Sequence, residues 1–170
     1  MREPELTTLC YIEDGDKYLM LNRNTGEEDS NAGKWLGIGG HFEFGESPED
    51  CVRREVMEET GLTVSELAFR GIVTFVTDDG LWEYMHLFTA KAHEGQLPVC
   101  DEGSLEWVEK KRIPSLPLWE GDHIFLKLLA DGAPFFSLKL LYRNLRLSEV
   151  ALNGAPLPLP LPAPAGGCND

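Results

Sequence analysis

The sequence predicts an α/β protein in which a mixed central sheet is flanked by helices. Short apolar runs bounded by turn residues recur along the chain and read as strands. Two helical segments stand far apart, at Pro48–Thr60 and Gly121–Asp131. Strands interleaved with separated helices bury both faces of one sheet.

The elements follow in order. Thr7–Ile12 and Lys17–Arg23 read as strands around the turn "EDGD", a hairpin. Asn24–Gly33 is a polar loop. "KWLGIGGHFEFGE" is apolar but rich in glycine, so it reads as a short strand feeding a loop that lets backbone approach a partner closely. Ser47 is placed to cap the first helix, Pro48 suits its first turn, and Glu49 and Asp50 suit the positive end of its dipole. Gly61 is a natural stop. Ala68–Thr77 and Glu83–Ala92 read as strands joined by "DDGLW", and Ser104–Lys110 as another. Ile124, Leu128 and Leu129 give the second helix its apolar stripe. Phe135–Tyr142 reads as a late strand.

The expected domain covers residues 1–150. Residues 151–170 read as a tail, with proline at every second position from Pro156 to Pro164. Such a pattern favours extended polyproline conformation or disorder, and its spacing never gives PxxP.

Composition bounds the partners. The chain has 170 residues, 42% hydrophobic and 26% charged, as expected of one globular domain. Its formal charge of −14 repels a nucleic-acid backbone, which argues against a polymer partner. A small anionic ligand is still admissible, because a divalent metal held by carboxylates inverts the local sign. No apolar run approaches the ~20 residues that span a bilayer, so no membrane partner is expected. The N-terminus has no apolar signal region. Cys10, Cys51, Cys100 and Cys168 lack CxxC spacing and read as thiols in a reducing cytosol. The expected location is therefore cytoplasmic, and the sequence leaves the oligomeric state open.

The first helix concentrates charge. Glu55, Glu58 and Glu59 fall at i, i+3 and i+4, where like charges destabilise a helix. On a wheel turning ~100° per residue, their arc borders that of Val52 and Val56 instead of opposing it. A solvated face would lie opposite those valines and interleave lysines at i+4, and the only such partner here is Arg54 with Glu58. Carboxylates converging beside a glycine loop fit a hard divalent cation, which takes oxygen ligands.

Gly40, Glu46 and the run Arg54-Glu55-Val56-Met57-Glu58-Glu59-Thr60-Gly61-Leu62 match the Nudix box, GX5EX7REUXEEXGU with U aliphatic, at every defining position. The chain thus resembles the Nudix hydrolases, and the resemblance implies their α/β/α sandwich. It also implies hydrolysis of a nucleoside diphosphate linked to another moiety, with Mg2+ or Mn2+. By position, Glu55, Glu58 and Glu59 would be metal ligands, with the Gly39 carbonyl. Glu46 and Arg54 would stand behind them, Arg54 orienting a glutamate. Family members differ over the general base: here it would be Glu55 or the distant loop residue Glu102, which could also be a ligand.

"GKWLGIGGHFEFGESPEDCVRREVMEETGL" further resembles the MutT-like 8-oxo-dGTP diphosphatases. That likeness implies a nucleotide pocket drawing on Thr8, Arg23, Leu36, Gly40, Trp119 and Asp122, with Trp119 stacking on the base and Asp122 reading its edge. Two positions depart from the subgroup: Gly121 stands where a second base-reading aspartate is expected, and Leu36 where an asparagine is. The expected reaction releases a nucleoside monophosphate and pyrophosphate from an oxidised purine nucleotide. ADP-ribose or a nucleotide sugar, or a non-catalytic nucleotide-binding module, are the alternatives.

Overall fold

A computed structural model describes residues 2–23, 31–93, 97 and 103–159. Its strands are β1 (Glu5–Asp14), β2 (Lys17–Asn22), β3 (Trp35–Leu36), β4 (Ser65–Thr77), β5 (Trp82–Lys91), β6 (Ser104–Glu109), β7 (Phe136–Arg143), β8 (Arg146–Leu152) and β9 (Ala155–Leu157). The helices are α1 (Pro48–Thr60) and α2 (Asp122–Ala130), with a 3₁₀ turn at Lys110–Ser115. One sheet runs β3-β2-β1-β5-β4-β7-β8-β9, and β6 pairs with the other edge of β2. The β1/β5 and β4/β7 pairs are parallel, and the other strand pairs are antiparallel.

Side-chain alternation divides the core into two layers. Leu9 and Tyr11 of β1, Val73 and Phe75 of β4, and Leu138 and Leu140 of β7 face Phe125 and Leu129 of α2. Cys10 and Ile12 of β1, Leu19 and Leu21 of β2, and Phe88 of β5 face Val52 and Val56 of α1. The predicted sandwich with a helix on each face is therefore observed. No helix among the described residues is long and apolar enough to cross a membrane.

The pairing of β1 with β2 is short and spans only Ile12–Asp14 against Lys17–Leu19. Beyond it the two strands part, and the chain from Trp35 to His41 fills the fork. Trp35 and Leu36 pair with the end of β2, then Ile38 and His41 bridge to Cys10 and Thr7 of β1. This wedge carries the glycine loop to the foot of α1.

Two strands lie where the sequence reading placed the end of the domain and the tail. β8 runs through residue 150 to Leu152, and β9 adds Ala155–Leu157. Their turn, Asn153-Gly154, has φ of 50° and 82°, the conformation of a two-residue hairpin turn. Pro156 sits in β9, the sheet's outermost strand, where a missing N–H costs no ladder bond. Residues 160–170, with Cys168, lie outside the described residues, as do Cys100 and residues 24–30 of the polar loop.

Candidate active site

The site grows from α1. Ser47 caps the helix reciprocally: Asp50 N donates to Ser47 Oγ at 3.1 Å, and Ser47 N donates to Asp50 Oδ2 at 3.0 Å. Gly61 ends it in the left-handed region at φ 70°. Cys51, Val52, Val56 and Thr60 are buried, which fixes the rotation of the helix. That rotation turns Glu55 toward the glycine loop with its side chain only 15% exposed, while Glu58 at 58% faces solvent. Glu59 is intermediate in exposure.

Arg54 organises these acids. Its Nε donates to Glu46 Oε1 at 2.5 Å and its second amino group to Glu46 Oε2 at 3.0 Å, a bidentate fork. The other amino group donates to Glu55 Oε1 at 2.8 Å and Glu58 Oε2 at 3.2 Å. Arg54 also donates to the His41 carbonyl at 3.0 Å, and Glu43 stands 3.6 Å from Nε. The fork holds the Glu46 carboxyl down at about 2, far below the usual carboxylate range. Bonding to Glu46 first, and then to Glu55, raises the Arg54 pKa further. Glu55 and Glu58 therefore meet on Arg54. Among the described residues, no three acidic, imidazole or thiol side chains are arranged so as to hold a metal ion as they stand.

The glycine loop completes this wall. Cys10 exchanges bonds with Ile38, and Thr8 N donates to the Gly40 carbonyl at 2.9 Å. In an extended chain successive peptides face opposite edges. The Gly39 carbonyl consequently turns to the edge on which the His41 carbonyl meets Arg54. At Gly40, an added Cβ would lie 2.6 Å from the Glu55 carboxylate, so any side chain there would push that carboxylate away from the loop. Gly39 is packed more tightly still: a Cβ there would lie 1.8 Å from the Thr8 carbonyl oxygen, which is backbone, so only glycine fits.

A second group forms on the α2 face. Trp119 is buried edge-on against Phe75 at 5.2 Å and Tyr142 at 5.0 Å. Its indole N–H donates to Asn31 Oδ1 at 2.7 Å, and Lys34 Nζ lies 4.4 Å above the ring. Asp122 opens α2 and is only 3% exposed. Burial raises its carboxyl to about 8, with the Lys34 charge opposing that shift and Glu83 adding to it. Leu36 packs against this same layer.

The structure separates the remaining expected residues. Thr8 faces α1, its hydroxyl 3.5 Å from Cys51 Sγ, on the opposite side of the sheet from Trp119. Arg23 follows β2, and its backbone N donates to the Lys34 carbonyl at 3.1 Å. Glu102 lies outside the described residues. The sequence reading did not single out Lys34, Asn31 or Glu83. The first two bear on Trp119 from a distant loop, which no local pattern announces. For Glu83 a signal existed, because it shares the inward phase of Met85 and Leu87 on β5. An open concavity of about 730 Å³, lined by Thr74, Val76, Trp82, Tyr84 and Lys139 among others, is separate from both groups.

A family model for the NUDIX domain matches residues 3–129. The chain belongs to the Nudix family. Among its relatives, the Nudix hydrolase YvcI of Bacillus subtilis is 34% identical over 130 residues, covering 74% of this chain and 78% of the relative. An oxidized purine nucleoside triphosphate hydrolase of Danio rerio is 32% identical over 133 residues, covering 77% and 83%. The crystal structure of a MutT protein from Bacillus halodurans superposes with a TM-score of 0.77 at 30% identity, covering 89% of this chain and 99% of that one. These relatives support the MutT-like subgroup. As a Nudix hydrolase, the protein acts on phosphoric anhydride bonds of small nucleotide substrates. The family generally works with divalent metals such as Mg2+.

Proposed function

We propose that this Nudix hydrolase cleaves a nucleoside triphosphate to the monophosphate and pyrophosphate, with an oxidised purine nucleotide such as 8-oxo-dGTP favoured. The carrying observation is the Glu55 carboxylate, pressed against Gly40 and gripped by Arg54 at the foot of α1. The prospective ligand atoms, carboxylates and a backbone carbonyl, are all oxygens, which fits Mg2+, with Mn2+ as substitute. Glu55, Glu58, Glu59 and the Gly39 carbonyl would hold the metal, and Glu102 is a further proposed ligand. Bound there, it would neutralise the diphosphate and acidify a water.

The protein's own groups do the rest. Arg54 anchors on Glu46 and keeps Glu55 aimed at the loop. Glu55 or Glu102 takes the proton of the attacking water. Gly40 leaves room for the Glu55 carboxylate to lie against the loop backbone. Trp119 and Asp122, together on the α2 face, would receive the base, while Leu36 supplies apolar wall. Thr8 acts beneath α1, bracing the loop through Cys51, and Arg23 is placed with the loop that reaches Trp119. The purine preference draws support from the Danio rerio relative.

The test is product analysis with Mg2+ and 8-oxo-dGTP, dGTP, dATP, ADP-ribose and nucleotide sugars. Monophosphate and pyrophosphate should form fastest from the oxidised purine. Faster turnover of ADP-ribose or a sugar nucleotide would overturn the substrate class, and no turnover of any would favour a binding module.

A further inference from the structure

α1 covers only part of its side of the sheet. The core beneath it draws on β1, β2, β5 and the start of β4, and no described residue of β7 or β8 belongs to it. Val73, Phe75, Leu138 and Leu140 face α2. The alternating positions Thr74, Val76, Ser137 and Lys139 therefore turn to the α1 side. There they line the open concavity of about 730 Å³. That size lies within the range of small-molecule sites.

Strand register sets its layout. Tyr84, Thr74, Lys139 and Ala151 are successive cross-strand partners on β5, β4, β7 and β8. The row spans three strand spacings, about 14 Å. Trp82 is the partner of Val76, and its ring lies 5.8 Å from that of Tyr84. Both aromatic residues are half-buried. Threonine, serine and alanine make a low floor, while the two rings, Lys139 and Arg2 make a high rim. Arg2 lies on the turn between β4 and β5: a Cβ on Gly80 would stand 2.7 Å from its guanidinium carbon.

Charge sets this face apart. Acids outnumber Lys and Arg by 29 to 15 along the chain. Yet among the described residues, two cations and no acid line the concavity. Neither Arg2 nor Lys139 has a carboxylate partner among the described residues. A solvated sheet face carries polar residues. It has no need of neighbouring aromatic rings, nor of cations kept clear of acids on a predominantly acidic protein.

We propose that this concavity is a second ligand site, separate from the Glu55 and Trp119 groups. Its ligand is a planar ring carrying a phosphate, the chemistry of a mononucleotide. The ring lies on Trp82 and Tyr84, since stacking accepts the face of any base. Thr74 stands between the rings and Lys139, and its hydroxyl, with that of Ser137, bonds the sugar. Lys139 and Arg2 hold the phosphate through charge-assisted bonds. The inference goes beyond the triphosphate reading and does not depend on it.

The test follows the amide and indole NMR signals of the full chain, without added metal, during titration with GMP, guanosine and inorganic phosphate. GMP should shift the Trp82 indole and the amides of Thr74 and Lys139. Guanosine and phosphate should each bind there at least about 10-fold more weakly, because each lacks part of the contacts. Lys139→Glu, a change at an exposed position, should weaken GMP binding at these signals at least about 10-fold. Shifts confined to the surroundings of Glu55 and Trp119, or a GMP affinity that Lys139→Glu leaves unchanged, overturn the inference. Phosphate binding as tightly as GMP reduces the site to an anion patch and overturns it as well. A dimer in sedimentation that Lys139→Glu dissociates assigns the face to a second copy, with the same consequence. None of these failures touches the triphosphate reading, which the product analysis tests separately.

Discussion

Arg54 shows how one side chain converts crowded like charges into a working arrangement. Its fork takes both oxygens of Glu46, and its remaining donors reach Glu55 and Glu58. Lysine has the charge but not the planar fork. Arg54→Lys should therefore lower kcat about 10–100-fold, the usual cost of losing a group that orients ligands. Circular dichroism should be unchanged. Asp122 makes a different prediction, through pH. Its folded pKa is raised to about 8 by burial, from 3.8. Between those values the folded protein holds a proton that the unfolded chain has released. The contribution of this group to stability thus falls as pH rises from about 4 to about 8, and is flat above. Asp122→Asn lacks that dependence. Urea denaturation should show the variant gaining on wild type by a few kcal/mol across that window, because the other titrations are common to both proteins. A difference that stays constant with pH would contradict the buried, neutral acid.

At the level of elements, α1 is specified at both ends and along its buried stripe. The sequence placed it at Pro48–Thr60, and the structure has those bounds, because local rules suffice there: a capping serine, a proline at N1, a glycine stop. Ser47→Ala removes the Oγ that accepts from Asp50 N, leaves the backbone donor to Asp50 Oδ2 in place, and should destabilise the protein by about 1 kcal/mol, lowering the melting temperature by about 2–4 °C. Its effect on activity should follow from fraying beside the glycine loop, so KM and kcat should worsen together. The wedge from Trp35 to His41 is less local. Its glycines announce close approach, but only the parting of β1 and β2 says what they approach. β8 and β9 were missed although Asn153-Gly154 is a strong hairpin signal. The alternating prolines that begin at Pro156 obscured it, since an edge strand tolerates proline and a pattern read by composition does not reveal an edge.

For the whole molecule, the sheet beyond β4 depends on what covers β7. That strand is buried between β4 and β8, and Val150 of β8 belongs to the α2-side core. A chain ending at Arg143 would bare the β7 edge and part of that core. It should aggregate or melt well below the full chain, as measured by sedimentation and calorimetry. Equal melting temperatures would show that β8 and β9 contribute nothing to the fold. The sequence by itself determined the placement of the box residues, because Glu46, Arg54, Glu55, Glu58 and Glu59 lie within one helix and its lead-in loop, where spacing fixes geometry. It also determined the sandwich, because apolar periodicity dictates which faces must be buried. Only the tertiary structure decided the composition of the α2-side site. Trp119 meets Lys34 and Asn31 of a distant loop and Phe75 of β4, and those meetings depend on long-range packing. The same long-range packing closes Gly121 to any side chain, since Leu140 and Tyr142 arrive there from β7. Spacing along the chain carries no information about such contacts.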